Sequence, residues 1–165
     1  MNNNEKEGVS YPFANGLVAK ASYEEGDKIS FKIYSKGGRL FANTNMFPVN
    51  SYKDSGYFPC SVNGGKNVRF MDGNGLFCFG IYGKRTRGFV NHRALIERRD
   101  GTLTFLTDKG KELSINLKWA SDFSYLDNKA QVIFAGDEDN EKFFIDKSGV
   151  ITTPPEDEQD KDIIL

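Results

Sequence analysis

Phe144-Ile145-Asp146-Lys147-Ser148-Gly149 is one of four related hexapeptides in this 165-residue chain. The others are Ile33-Tyr-Ser-Lys-Gly-Gly38, Phe70-Met-Asp-Gly-Asn-Gly75 and Phe105-Leu-Thr-Asp-Lys-Gly110. Each sets two apolar residues before a Ser, Thr or Asp, then two spacers, then glycine. A short polar side chain at the third position can accept hydrogen bonds from main-chain N–H groups two residues on. Glycine at the end supplies the left-handed backbone that a tight turn needs. The final glycines lie 37, 35 and 39 residues apart, so the turn belongs to a unit of nearly constant length. The same polar residues are too sparse in carboxylates for a calcium loop.

On either side of each turn the chain reads as strand. Lys28-Ile-Ser-Phe-Lys-Ile33 and Gly101-Thr-Leu-Thr-Phe-Leu106 alternate apolar and polar residues with the period of a half-buried strand. Apolar runs follow each glycine: Leu40-Phe41, Leu76 to Phe79, Leu113 to Leu117, and Val150-Ile151. A second turn precedes each strand, at 25–27, 63–65, 100–101 and 136–140, with a further apolar strand before it. Each unit is therefore expected to be a three-stranded antiparallel meander. One meander cannot bury its own apolar face, so four must pack together. The expected fold is all-β, with units at about 11–46, 47–83, 84–117 and 118–154 forming one barrel-like or propeller-like domain. Residues 1–10 are expected to be a flexible lead-in, and 155–165 an acidic tail.

The last unit also resembles a known family. Asp122-Phe-Ser124, Lys129-Ala-Gln-Val132 and Lys142-Phe-Phe-Ile-Asp-Lys-Ser-Gly149, running on to Pro154, are similar to the repeat of bacterial WG-repeat proteins. Tyr11-Pro-Phe-Ala-Asn-Gly-Leu-Val18 is similar to the first half of that repeat. The namesake Trp-Gly pair is missing from all four units; Phe143-Phe144 stands in its place in the last, and Trp119 falls between units. The resemblance implies an all-β repeat protein of bacterial or phage origin, without an established catalytic activity and with no catalytic residues to carry over.

Composition narrows the chemistry. A single histidine, His92, rules out zinc sites built on two or three imidazoles. Cys60 and Cys78 are 18 residues apart, form no CxxC pair, and are expected to be free buried thiols. No phosphate-binding or dinucleotide glycine motif is present; Gly73-Asn-Gly75 lies between two strand-like runs and reads as a hairpin turn. No cofactor is expected. No stretch resembles a secretion signal or reaches the length of a membrane span, so a cytoplasmic location is expected.

Charge is the one anomaly. The chain carries 22 Lys+Arg and 23 Asp+Glu, a net charge of -1. Residues 84–99 nevertheless hold Lys84, Arg85, Arg87, Arg93, Arg98 and Arg99 against Glu97 alone, a local +5 set against -6 elsewhere. Arginine forks suit phosphate and carboxylate. Tyr82 just before the stretch and Phe89 within it could stack on bases, and His92 also lies within it. Charged side chains also protect the exposed edge of a sheet, so the stretch alone does not distinguish a site from a solvated strand. The expected function is a non-enzymatic module engaging a protein partner through loops and strand edges. The alternative is an anion, nucleotide or nucleic-acid binder, or an inhibitor of a nucleic-acid enzyme, acting through 84–99. A third reading makes His92 a catalytic base beside a carboxylate such as Glu97. The acidic run 156–162, followed by Ile163-Ile-Leu165, could shield the basic stretch; deleting 156–165 would then strengthen anion binding.

Overall fold

The computed structural model describes residues 8–24, 26, 28–44 and 47–155. The acidic tail from 156 and the first seven residues lie outside them. The elements run β1 (Ser10–Pro12), a 3-10 turn (Ala14–Gly16), β2 (Val18–Glu24), β3 (Lys28–Tyr34), β4 (Leu40–Thr44) and the helix α1 (Val49–Ser55). Then follow β5 (Tyr57–Val62), β6 (Asn67–Asp72), β7 (Phe77–Ile81), β8 (Arg85–Val90), β9 (Arg93–Glu97) and β10 (Leu103–Thr107). The chain ends with β11 (Leu117–Ala120), β12 (Ala130–Phe134), β13 (Phe143–Ile145) and β14 (Ile151–Thr152).

The four hexapeptide turns share one geometry. In each, the glycine N–H donates to the carbonyl three residues back, at 3.0 Å (Ser35), 3.2 Å (Asp72), 3.0 Å (Thr107) and 2.9 Å (Asp146). Every one of these glycines has φ between +81° and +86°. The polar residue also caps its own loop. Asp146 Oδ1 accepts from the N–H groups of Ser148 (2.8 Å) and Val150 (3.1 Å), and Asp72 Oδ1 does the same for Asn74 and Leu76. This is the hydrogen-bond pattern of a hairpin closed by a left-handed glycine. The β9–β10 hairpin repeats it at Arg98–Thr102, with Gly101 at φ +87°.

Among the described residues the turns build three antiparallel sheets of four, three and seven strands, and none closes into a barrel. The first is β1-β2-β3-β4, the second β5-β6-β7, and the third runs β14-β13-β12-β11-β10-β9-β8. The expected barrel-like body is thus not the one that forms. The third and fourth units share one sheet, with β8 and β11 recruited as additional strands, and so do not stand as separate propeller blades. The run Leu113 to Leu117, expected as a strand, contributes only the first residue of β11; an isolated bridge between Leu106 and Glu112 lies just before it. Its polar groups are taken elsewhere: Leu113 O accepts from Thr104 Oγ1 at 3.0 Å, and Ile115 O from Arg98 at 3.3 Å. At the other end, Val9 and Ser10 run beside β2. Val9 O accepts from Ala21 N–H at 3.1 Å, and Ser10 pairs with Lys20.

Helix α1 was not foreseen from the apolar pattern. Pro48 caps its start, and Gly56, at φ +81°, ends it by donating to Tyr52 O at 2.8 Å. Among the described residues no helix is long and apolar enough to cross a membrane.

Alternation in β9 divides the core. Ala94 and Ile96 join Phe70, Phe89 and Leu106 between the second and third sheets. Leu95, on the opposite face, joins Phe105, Leu117, Phe123, Val132 and Ile145 inside the curl of the seven-stranded sheet. A further cluster, around Phe13, Leu17, Ile33 and Phe58, holds the first sheet and α1 to the second. Each fully buried Phe or Leu contributes roughly 2–3 kcal/mol, so these seams hold the three sheets together. Cys60 is buried on β5 and Cys78 half-exposed on β7; β6 separates them, and both are free.

Candidate functional site

The chain crosses from the second sheet to the third at Gly83. Val68 and Asn67 Nδ2 hold the Gly83 carbonyl on one side, and the next residue, Lys84, donates its N–H to Glu97 O at 2.8 Å on the other. A side chain at Gly83 would meet Glu97 O and Ile96, which is why the two sheets can approach so closely here. Beside this crossing lies a cleft of about 1060 Å³. Val68, Leu95 and Leu103 give it apolar walls; Lys66, Lys84, Arg85, Arg87 and Arg99 supply positive charge, with Glu97 as the one acidic lining residue among the described residues.

Strand β8 presents two of those cations by alternation. Thr86 is buried, while Arg85 and Arg87 project outward with side chains 84% and 59% exposed. A bulge follows: pairing passes from Thr86↔Ile96 to Phe89↔Ala94, and Gly88 takes φ +88°. Such bulges bend a strand and re-aim its side chains. The ion pairs here are loose. Arg85 Nε lies 3.6 Å from Glu97 Oε2, an exposed contact that solvent screens heavily. Arg87 lies 3.3 Å from Asp122 Oδ1, a buried oxygen that finds no hydrogen-bond partner among the described residues and has Arg87 as its counter-charge.

The remaining residues of the basic stretch do other work. Arg98 donates to Asn116 Oδ1 (2.7 Å) and Ile115 O (3.3 Å), bracing the turn before β11. Arg93 Nε donates to Lys147 O at 2.9 Å. Phe89 is 1% exposed and packs on Phe70 with ring centroids 4.8 Å apart. Tyr82 is half-buried, with its hydroxyl on Gly110 O at 3.3 Å. Neither aromatic lines the cleft, so neither is placed to stack on a base there. The structure thus brings together Lys84, Arg85, Arg87 and Arg99, and separates them from Tyr82, Phe89, His92, Arg93 and Arg98. Lys66, from the turn between β5 and β6, was missed by sequence reasoning. It sits in a Gly-Gly-Lys turn far outside the basic stretch, and nothing in the sequence signals that the two meet.

His92 belongs to a second cluster. With Asn91 it forms the β8–β9 turn at positive φ (+49° and +62°), and its N–H donates to Asp54 Oδ1 at 2.8 Å. Its Nδ1 lies 3.1 Å from Asp108 Oδ2 and 3.3 Å from Ser55 Oγ. Ser55 and Asp108 therefore crowd the same ring nitrogen, whereas a Ser–His–Asp relay needs them on opposite nitrogens. Ser55 Oγ also donates to Asp54, and the Tyr125 hydroxyl donates to Asp54 Oδ2. Glu97, the partner expected for His92, is instead the counter-charge of Arg85. Burial pushes the Asp54 pKa up, but the hydrogen bonds from Ser55, Tyr125 and the His92 N–H outweigh it and hold the carboxyl below its ordinary value. This is a knot joining α1 to three loops. Among the described residues no group of three or more His, Cys, Asp or Glu side chains is placed to hold a metal ion. The chain matches no protein-family model and no curated protein.

Proposed function

We propose that the chain is a non-enzymatic binding module that engages an acidic protein partner through the basic cleft at the second and third sheets' junction. One observation carries the reading: five cations from three separate segments converge on a cleft with apolar walls, against Glu97 in the lining and Asp122 beside Arg87. Bringing like charges together in this way disfavours folding slightly and is repaid only when an anion is bound. Nucleic acid through the same cations is the alternative, and the burial of Phe89 and the engagement of Tyr82 speak against base stacking. The repeated turns support a repeat-built scaffold of four units akin to the WG-repeat proteins.

The test compares poly-L-glutamate with an oligo-dT of similar length by fluorescence anisotropy across a salt series. The proposal expects poly-L-glutamate to bind with strong salt dependence, and binding to fall at least tenfold in a Lys84→Ala/Arg85→Ala/Arg99→Ala variant. Binding of oligo-dT alone would transfer the cleft to the nucleic-acid reading. Arg87 and Arg93 are left intact because Arg87 compensates Asp122 and Arg93 is structural.

A further inference from the structure

Strand β8 ends the seven-stranded sheet, so among the described residues one of its edges has no strand partner. That edge is not uniform. Beyond Gly88 it is covered: Phe89 N–H donates to Ser51 Oγ of α1 at 2.9 Å, and Ser51 Oγ in turn donates to Tyr57 O at 2.7 Å. A side chain at Gly88 would strike Ser51. Before Gly88, residues 84–87 instead line the cleft, facing Ser61 and Lys66 of the β5–β6 hairpin. An open strand edge, a row of cations and apolar walls therefore occupy one place. An unpaired edge is a template for a further strand, and opposite charges facing each other on neighbouring strands favour the pairing.

We infer that the cleft binds an extended acidic segment of a partner protein by strand addition to β8 at Arg85–Arg87. This rests on the acidic-partner reading and adds its geometry. Main-chain hydrogen bonds to the β8 edge would align the segment. Acidic side chains at every second position would face Arg85 and Arg87, with Lys66, Lys84 and Arg99 around them. The intervening residues would then point the other way, which calls for a segment that alternates acidic and β-branched apolar residues. Where the Arg85–Glu97 contact is displaced, little is lost, because so exposed a pair contributes little. The covered portion of the edge beyond Gly88 limits the added strand to a short one.

The experiment uses a capped, fluorescent peptide of alternating Asp and Val. Two further versions are N-methylated at alternate amides, one in each register, so that whichever amides face β8 are blocked in one of them. The inference expects the parent peptide to bind, with affinity falling as salt rises. One methylated version should bind at least roughly tenfold more weakly, as loss of one to two hydrogen bonds would produce. Amide exchange at 85–87 should slow on binding. An Arg85→Glu/Lys66→Glu variant should lose the parent peptide, and the methylated pair tests the same point on the unaltered protein if that variant fails to fold. Equal binding of all three peptides would overturn strand addition while leaving the acidic-partner reading intact. Failure of every peptide at low salt, with poly-L-glutamate also unbound, would overturn both.

Discussion

Arg93 and Lys147, 54 residues apart, meet where the guanidinium Nε donates to the Lys147 main-chain carbonyl at 2.9 Å. Arg93 lies on β9, near one end of the seven-stranded sheet, and Lys147 in the turn between β13 and β14 at the other. The sheet therefore curls until its two ends touch without closing. The contact is doubled, since Lys147 Nζ donates to Asn91 Oδ1 at 2.9 Å and Arg93 also donates to His92 O at 2.7 Å. Burial, and then the charge of Arg93, lower the pKa of Lys147.

Arg93→Ala is accordingly expected to destabilise the fold by about 1–3 kcal/mol, the cost of stranding the part-buried Lys147 carbonyl. Urea denaturation should show a lower midpoint, while acidic-ligand binding by the folded protein stays as it was. A variant that loses binding at unchanged stability would move Arg93 from the scaffold into the site.

Asp54 predicts a specific acid sensitivity. Its carboxyl is held below the ordinary value of 3.8, and its side chain is only 5% exposed. A carboxyl with a depressed folded pKa contributes stability that is fully present above its unfolded value and is lost as pH falls through the folded one. Asp54→Asn should lower stability at neutral pH by roughly 1–3 kcal/mol. It should also flatten the decline in urea midpoint below about pH 4, where the ordinary value of 3.8 lies. An acid limb as steep as that of the unaltered protein would contradict the assignment.

The turn glycines differ in a way that stability measurements can read. Gly38 has φ +85° with open space where a side chain would go, so Gly38→Ala meets backbone strain alone, about 1–2 kcal/mol. Gly110 has φ +81° and its turn rests on the Phe79 ring, which a methyl group would enter. Gly110→Ala should therefore cost more, by a further 1–3 kcal/mol or about that amount. Comparison of the two melting temperatures checks the ranking; equal losses would mean that Phe79 moves freely aside.

The thiols should behave unequally. Burial raises the Cys60 pKa to about 12. Cys78 is raised too, by burial and then by the charge of Asp72, but remains half-exposed. A thiol-specific chromogenic reagent at pH 8 should modify Cys78 slowly in the folded protein and reach Cys60 only on unfolding. Rapid reaction of both would show that β5 opens readily.

The turns were legible in the sequence because their chemistry is local. Asp72, Thr107 and Asp146 cap N–H groups two and four residues away, and the glycines adopt left-handed backbone within the same loops. Strand alternation is equally local: it was legible in Lys28 to Ile33 and Gly101 to Leu106, which form β3 and β10. Helix α1 was harder to see because seven residues are too few for a helical apolar pattern, although Pro48 and Gly56 mark its ends.

Tertiary structure alone decided which sheets the strands would join and which arginines would be free. Nothing near Arg98 in sequence says that Asn116 and Ile115 will occupy it, and nothing near Arg93 announces Lys147. Those partners arrive from 17 to 54 residues away, through the packing of Leu95, Phe105 and Val132 that curls the sheet. The same packing leaves Arg85 and Arg99 at a sheet junction beside Lys66. Turn propensity is written in neighbouring residues. The accessibility of a charge depends on every surface that folds against it, so a basic stretch of sequence became four cleft cations and two structural staples only once the chain had packed.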